Sequence, residues 1–205
     1  SGAGGREVVQ AHTSLVDSVL CYLIEALASR YKSSLATLLE EFSLIAVGGY
    51  GRGELNPCSD IDLLFLTSKN IRRSTNKLIQ DCIPIFWDLG LEVGSSCRTM
   101  QECLLLAKKD ITIKTSMIET RFMIGNQIKY QKFFHSISKN TLRKNIKGFL
   151  DAKSKEKTLR YKEGIGPSSN PEPNVKEDVG GLRDYHTALW AVAIRFGCLS
   201  FREIP

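Results

Sequence analysis

The chain is short of several things that would have fixed its class at once. Its six cysteines, at 21, 58, 82, 97, 103 and 198, include no C-x-x-C pair, so the spacing that a structural zinc site needs is missing. Cys82 and Cys103 stand among apolar neighbours, and the pattern predicts reduced, mostly buried thiols in a cytoplasmic protein. No apolar run approaches the length of a membrane span and no secretory hydrophobic stretch opens the chain, which predicts no membrane partner. Aromatic residues make up 8%, and the Lys and Arg residues behind the net charge of +6 are scattered. A basic channel lined by stacking rings is therefore not expected, which disfavours a nucleic-acid partner. A diffuse positive balance suits a polyphosphate ligand or an acidic partner instead. No internal repeat or low-complexity tract is present.

What remains is ordinary globular material. The 205 residues are 42% hydrophobic and 24% charged, and a chain of this length removes roughly 70% of its unfolded surface from water. The chain opens in what reads as the approach to a helix and ends at Pro205 just after one, so a segment of something longer is expected. Apolar residues at helical spacing predict one or two helices over Val8 to Leu39, broken near Lys32 to Ser34. A short strand over Ser43 to Val47 runs into a glycine-rich turn, Gly49 to Cys58, and a second strand covers Asp60 to Leu66. An amphipathic helix over Thr75 to Trp87 is stopped by Gly90, and a third strand spans Leu91 to Arg98. Thr99 with Glu102 makes a capping-box pattern. Helices are expected over Glu102 to Lys108, Ile111 to Ile124 and Lys129 to Phe149, with helix to about Tyr161. Lys162 to Gly181 holds three prolines and four glycines, so it reads as loop, and Leu182 to Phe196 is the last helix.

The chemistry concentrates in Gly48 to Leu66, GGYGRGELNPCSDIDLLFL. A strand sends alternate side chains to opposite faces, so Asp60 and Asp62 share a face with Leu64 and Leu66. Beyond Asp62 the strand is apolar on both sides, which predicts a buried central strand with a charged mouth. Two carboxylates side by side at the rim of a core repel each other and resist burial; a hard dication that both bind gives them a reason to be there. Gly48, Gly49, Gly51 and Gly53 let backbone N–H groups approach phosphate closely. Arg52 offers a planar fork to phosphate oxygens, and Ser59 precedes the acids, placed to donate to the same phosphates or to the turn.

With those residues in place, the stretch resembles the nucleotidyltransferase domain of the polymerase-beta superfamily. Within it, the stretch looks like the family of bacterial PII uridylyltransferases (bifunctional uridylyltransferase/uridylyl-removing enzymes). Three further stretches carry the narrower likeness: Trp87 to Thr99, WDLGLEVGSSCRT; Pro173 to Asp184, PNVKEDVGGLRD; and the opening GGREVVQAHTSLVDSVL. The resemblance runs from about residue 4 to residue 197. It implies an α/β fold, a small mixed sheet of the polymerase-beta nucleotidyltransferase type flanked by helices. A nucleotidyltransferase core with N-terminal helices would fill residues 1–105, and a helical region with the PNVKEDVGGLRD loop residues 106–205. It implies transfer of UMP from UTP to a tyrosine hydroxyl of the PII signalling protein, with Mg²⁺ or Mn²⁺ as cofactor. Carried over by residue, Gly48, Gly49 and Arg52 would cradle phosphate, and Asp60 and Asp62 would ligate metal and act in catalysis. The alternatives are another base or acceptor on the same core, or a non-catalytic nucleotide-sensing domain.

The chain departs from the family's pattern in two ways. None of its three histidines, His12, His135 and His186, is followed by Asp, so the uridylyl-removing phosphohydrolase site of full-length members is not expected here, nor are their ACT sensor domains. Many superfamily members also carry an acid on the third strand, and Gly94 stands in that place. Glu92, two residues away on the same face, is the candidate third acid; otherwise it is a surface glutamate. Arg98 either faces the triphosphate or ends its strand in solvent. Lys176 and Arg183 either reach the nucleotide or incoming partner, or tie their loop down. Tyr50 stacks on a base or packs beside the strand.

Overall fold

The structure, a computed structural model, describes residues 2–31, 33–139, 145–164 and 174–197. The chain divides into two compact units, residues 1–137 and 138–205, each described by itself. In the first unit the order is α1 (Gly5–Ala28), α2 (Leu35–Leu39), β1 (Phe42–Val47), α3 (Gly48–Gly51), β2 (Ile61–Thr67), α4 (Arg73–Asp88), β3 (Val93–Thr99), α5 (Met100–Lys109), α6 (Ile111–Ser116), β4 (Thr120–Gly125) and α7 (Gln127–Ile137). The strands form one mixed sheet in the order β3-β2-β1-β4. β1 runs antiparallel to both β2 and β4, while β2 and β3 are parallel. Parallel neighbours need a crossover, which α4 supplies.

α1 begins at Gly4, whose N–H is capped by Glu7 at 3.0 Å. Its buried residues, Thr13, Val16, Leu20, Ile24 and Leu27, recur every three to four positions and make one core-facing stripe. Val16, Leu20, Ile24 and Leu27 join Leu44, Ala46, Leu63 and Phe65 of the sheet and Leu78, Ile79, Cys82 and Phe86 of α4 in a single cluster. Ile45, Leu64 and Leu66, of opposite parity, are buried on the other face. Contrary to expectation, α1 is long and apolar enough by length and composition alone to cross a membrane. The reason is that its outer face also carries Val8, Leu15 and Tyr22; its inner stripe is used by the core.

Three sequence expectations are corrected. The glycine segment opens with one helical turn, α3, before the irregular stretch ahead of β2. The second half of the helix expected over Ile111 to Ile124 is strand β4, paired with β1 through a register shift at Leu44/Ile45. TRFMIG is rich in strand-favouring side chains, and an edge position beside β1 decides its state. Because β4 and α7 pack on β1, the first unit extends to residue 137 and not to 105. The thiols, too, are less uniformly buried than expected: Cys58 and Cys97 are exposed, Cys82 and Cys103 are buried, and all five described cysteines are free.

The second unit contains α8 (Ile146–Gly164) and α9 (Leu182–Phe196), the latter matching the expected last helix and ended by Gly197 at φ 78°. Asp184 holds the two helices together. It accepts from Arg160 and Tyr161 of α8 and from the Gly180 N–H at 2.9 Å. Burial alone would raise its carboxyl, but Tyr161, the Gly180 N–H, Lys157 and Arg160 together hold it below its ordinary value. Lys153 is buried with its ammonium 2.8 Å from Glu156 and 4.8 Å from the centre of the Trp190 ring. The expected loop from Lys162 falls partly on residues 165–173, and Cys198 on residues 198–205, both outside the described residues.

α3 can pack against β4 only because residue 51 has no side chain. A Cβ there would stand 2.0 Å from the Glu119 carbonyl oxygen and 2.9 Å from that of Ala46. Gly51→Ala is expected to destabilise the first unit by about 2 kcal/mol or more, read as a lower urea midpoint with an unchanged slope. Burial pushes the Cys82 thiol up to about 12 and that of Cys103 up to about 11. In a Cys198→Ser background, a disulfide-exchange reagent at pH 8 should label Cys58 and Cys97 rapidly, and Cys82 and Cys103 only after denaturation.

Candidate active site

The sheet brings the mouths of β2 and β3 together, pairing Asp62 with Gly94. That register explains the glycine. A Cβ at Gly94 would stand 2.9 Å from Asp62 Oδ1, closer than real Cβ atoms approach, and one at Gly48 would stand 3.3 Å from Asp62 Oδ2. The carboxylate thus lies between two backbone positions stripped of side chains, with Gly48 at φ +62° turning the chain away from β1. Asp60 is exposed one residue before β2. Asp60 and Asp62 both line an open cavity of about 590 Å³, together with Trp87, Gly90, Leu91, Glu92, Val93 and Gly94.

These residues fit a hard divalent cation. Among the described residues no group of three or more His, Cys, Asp or Glu is placed to hold a metal alone. Mg²⁺ is commonly held by one or two carboxylates, with waters and substrate phosphates completing the shell. Two adjacent aspartates on an open rim, one cradled by glycine backbone, are that donor set.

The other expected site residues are placed as follows. Glu92 lines the same cavity but is exposed and just precedes β3, its carbonyl accepting the Ile61 N–H at 2.8 Å. Gly49 lies beside Arg52, a Cβ there standing 3.5 Å from Arg52 Nη2. Arg52 itself is engaged by protein: Nη1 is 2.7 Å from Glu119 Oε2 and Nε is 2.9 Å from Glu54 Oε2. Ser59 is exposed, its N–H bonded to Asn56 O at 3.1 Å, after Cys58 at φ 63°. Arg98 pairs with Leu66, four residues along β3 from Gly94 and so roughly 13 Å up the strand. Lys176 and Arg183 belong to the second unit. Lys176 is exposed, and Arg183 Nη2 donates to Glu177 Oε1 at 2.9 Å, so this guanidinium ties its loop down.

Glu119 and the Asp17–Arg121 pair that supports Tyr50 escaped the sequence reading. Glu119 is nearly buried, its side chain 6% exposed, against Arg52, and it fell inside a stretch read as helix. Tyr50 is buried, its hydroxyl donating to Asp17 Oδ1 at 2.5 Å. Arg121 donates to both Asp17 oxygens, at 2.7 and 3.1 Å, and to the Tyr50 carbonyl at 3.2 Å. Burial, then the bond to Asp17, pushes the Tyr50 phenol well above its ordinary value, so it stays protonated. This knot fastens the glycine turn to α1 and β4; Tyr50 packs and does not stack on a ligand. Partners so distant in sequence leave no local signal, though the β-branched and aromatic residues of TRFMIG are one trace of a strand.

Residues 20–118 match the family described as "Nucleotidyltransferase domain", and residues 148–204 match "GlnD PII-uridylyltransferase". The bifunctional uridylyltransferase/uridylyl-removing enzyme of Pseudoalteromonas translucida is 35% identical over 96% of this chain and 22% of its own length. That of Cereibacter sphaeroides is 37% identical over 90% of this chain and 20% of its own, and that of Chromobacterium violaceum 41% over 72% and 17%. A solved structure, "Crystal structure of the toxin-antitoxin with AMP-PNP", overlays with TM-score 0.30 at 15% identity over 58% of this chain and 83% of that one, too slight a likeness to bear on the site. The mixed sheet, the glycine turn and the matched residues define the class: this is a nucleotidyltransferase-type fold. Within that class the chain is similar over most of its length to the bifunctional uridylyltransferase/uridylyl-removing enzymes, and it spans about a fifth of the length of the curated relatives it matches.

If the glycine at 94 exists to seat Asp62, Gly94→Ala should weaken Mn²⁺ binding by roughly tenfold or more. Titration of Mn²⁺ by electron paramagnetic resonance reads this directly, with the urea midpoint as a control for folding.

Proposed function

We propose that this chain transfers a nucleotidyl group, UMP from UTP, to a tyrosine hydroxyl of a PII-type signalling protein in the cytoplasm. The observation that carries the reading is the Asp62 carboxylate seated between Gly48 and Gly94, with Asp60 beside it on one cavity. The likeness to uridylyltransferases and to a PII-uridylyltransferase family supports a uridine nucleotide and a PII-type acceptor, and free thiols in all five described cysteines suit a reducing compartment.

In this reading Asp60 and Asp62 would hold Mg²⁺ or Mn²⁺, which when bound offsets triphosphate charge and stabilises the leaving pyrophosphate. The chain's own part is position and charge, which nucleotidyl transfer chiefly needs from a protein. Gly48 and Gly49, without side chains, let the triphosphate tail come close to backbone N–H groups. The Glu119–Arg52 pair and the Asp17–Tyr50–Arg121 knot fix the turn, so the tail meets a preset surface. Arg52 serves phosphate through whatever guanidinium edge Glu54 and Glu119 leave open. Glu92, on the cavity wall, would receive the hydroxyl proton.

The test is transfer of label. The protein is incubated with each labelled nucleoside triphosphate in turn, Mg²⁺ and a purified PII-type protein or an RNA acceptor. Label on the PII-type protein from UTP alone supports the reading. Asp60→Ala and Asp62→Ala should each lower the rate by more than about a hundredfold with unchanged far-UV dichroism. Tight nucleotide binding with no label on any acceptor would instead favour a sensing domain.

A further inference from the structure

The cavity beside Asp62 has an apolar half with no assigned role. Trp87, at the end of α4, is 59% exposed, although an indole is among the side chains with most to gain from burial. Its ring is nonetheless fixed: Nε1 donates to the Val93 carbonyl at 3.1 Å. With the polar atom satisfied by backbone, an apolar face is presented next to Leu91 on the wall shared with Asp60 and Asp62.

The position of this face relative to the glycine turn decides what it would meet. Gly48 approaches Asp62 from the Oδ2 side and Gly94 from the Oδ1 side, and the α3 turn is not part of the cavity wall. Attacking and leaving oxygens lie roughly in line across the transferred phosphorus. With the triphosphate tail on the glycine side, the attacking oxygen enters from the Gly94 side, which is the cavity. The cavity's charge narrows the entrant further. Its lining carries Asp60, Asp62 and Glu92 and no Lys or Arg, so it offers no cationic side chain to pair with a phosphate-bearing acceptor such as an RNA end, while a neutral ring with one hydroxyl needs none.

We infer that this cavity is the acceptor subsite, receiving an aromatic hydroxyl side chain on an exposed protein loop, with its ring against Trp87 and its oxygen toward Asp60 and Asp62. The inference rests on the nucleotidyltransferase reading and goes beyond it by assigning a place and a recognition residue to the acceptor. In the step, the phenolic oxygen bonds to the α-phosphorus as the α–β bridging P–O bond breaks. Pyrophosphate departs with that electron pair, and the phenolic proton passes to Glu92 at the cavity wall.

The full chain is tested with Mg²⁺, a non-hydrolysable UTP analogue and a purified PII-type protein with a loop tyrosine. Trp87→Ala should weaken binding of that protein, and raise its KM in turnover with UTP, by about tenfold or more. The dissociation constant of the analogue and the KM for UTP should stay within about twofold, and Trp87→Phe should recover most of the loss. A loss of nucleotide affinity with acceptor binding intact would mean the ring stacks on the base and would overturn the inference. So would no change in either affinity, or no binding of the PII-type protein by the unaltered chain. Failure of the unaltered chain to label any acceptor would sink the transferase reading instead, while the binding comparison would still decide the subsite.

Discussion

Asp62 can point its carboxylate into the mouth of the sheet because its neighbours on both sides are backbone without side chains. Gly94, its partner across the β2–β3 pair, and Gly48, at the end of β1, each leave the space that a methyl group would fill. Repulsion between two adjacent carboxylates has no compensation in folding alone. Here the sheet register and the two glycines keep the pair at an open rim, where a dication can lie between them, and away from the apolar interior a residue or two further along β2.

The supporting structure acts on the same turn from outside. Gly51 permits α3 to touch the backbone of Glu119, whose side chain holds Arg52; Arg121, two residues on in the edge strand, holds Asp17 and the Tyr50 carbonyl. β4 is therefore more than a fourth strand. It carries the anchors that set where the glycine turn sits against β1, and so where a phosphate would lie relative to Asp62. The pairing of Arg52 with two glutamates moderates its expected role: Nε and Nη1 already serve the fold, and less of the guanidinium is left for ligand than its place in the motif suggests. In the second unit Arg183 tells the same story, since Glu177 holds it much as Glu119 holds Arg52.

Local pattern made the centre of this molecule legible. Alternation placed Asp62 with Leu64 and Leu66, the Thr99–Glu102 capping box formed as expected at 3.3 and 2.7 Å, and the last helix matched at both ends. What stayed hidden depended on partners far apart in sequence. β4 has strand-favouring residues, but the β1 edge that pairs with it is remote in sequence. Glu119 finds Arg52 across 67 positions, from 119 back to 52, and Asp17 finds Arg121 across 104. Trp87 read as a helix end, because nothing in WDLGLEV says that the ring stays outside. The glycine at 94 was read as a missing acid; the register shows it making room for the acid already there.

Whether Asp60 and Asp62 together grip a divalent cation under a nucleotide's phosphates is read from crystals grown with Mn²⁺ and a non-hydrolysable UTP analogue, with data collected at the manganese edge. Anomalous density bonded to oxygens of both aspartates and to the analogue's phosphates is expected. Manganese bound elsewhere, or a nucleotide seated away from both carboxylates, would contradict it.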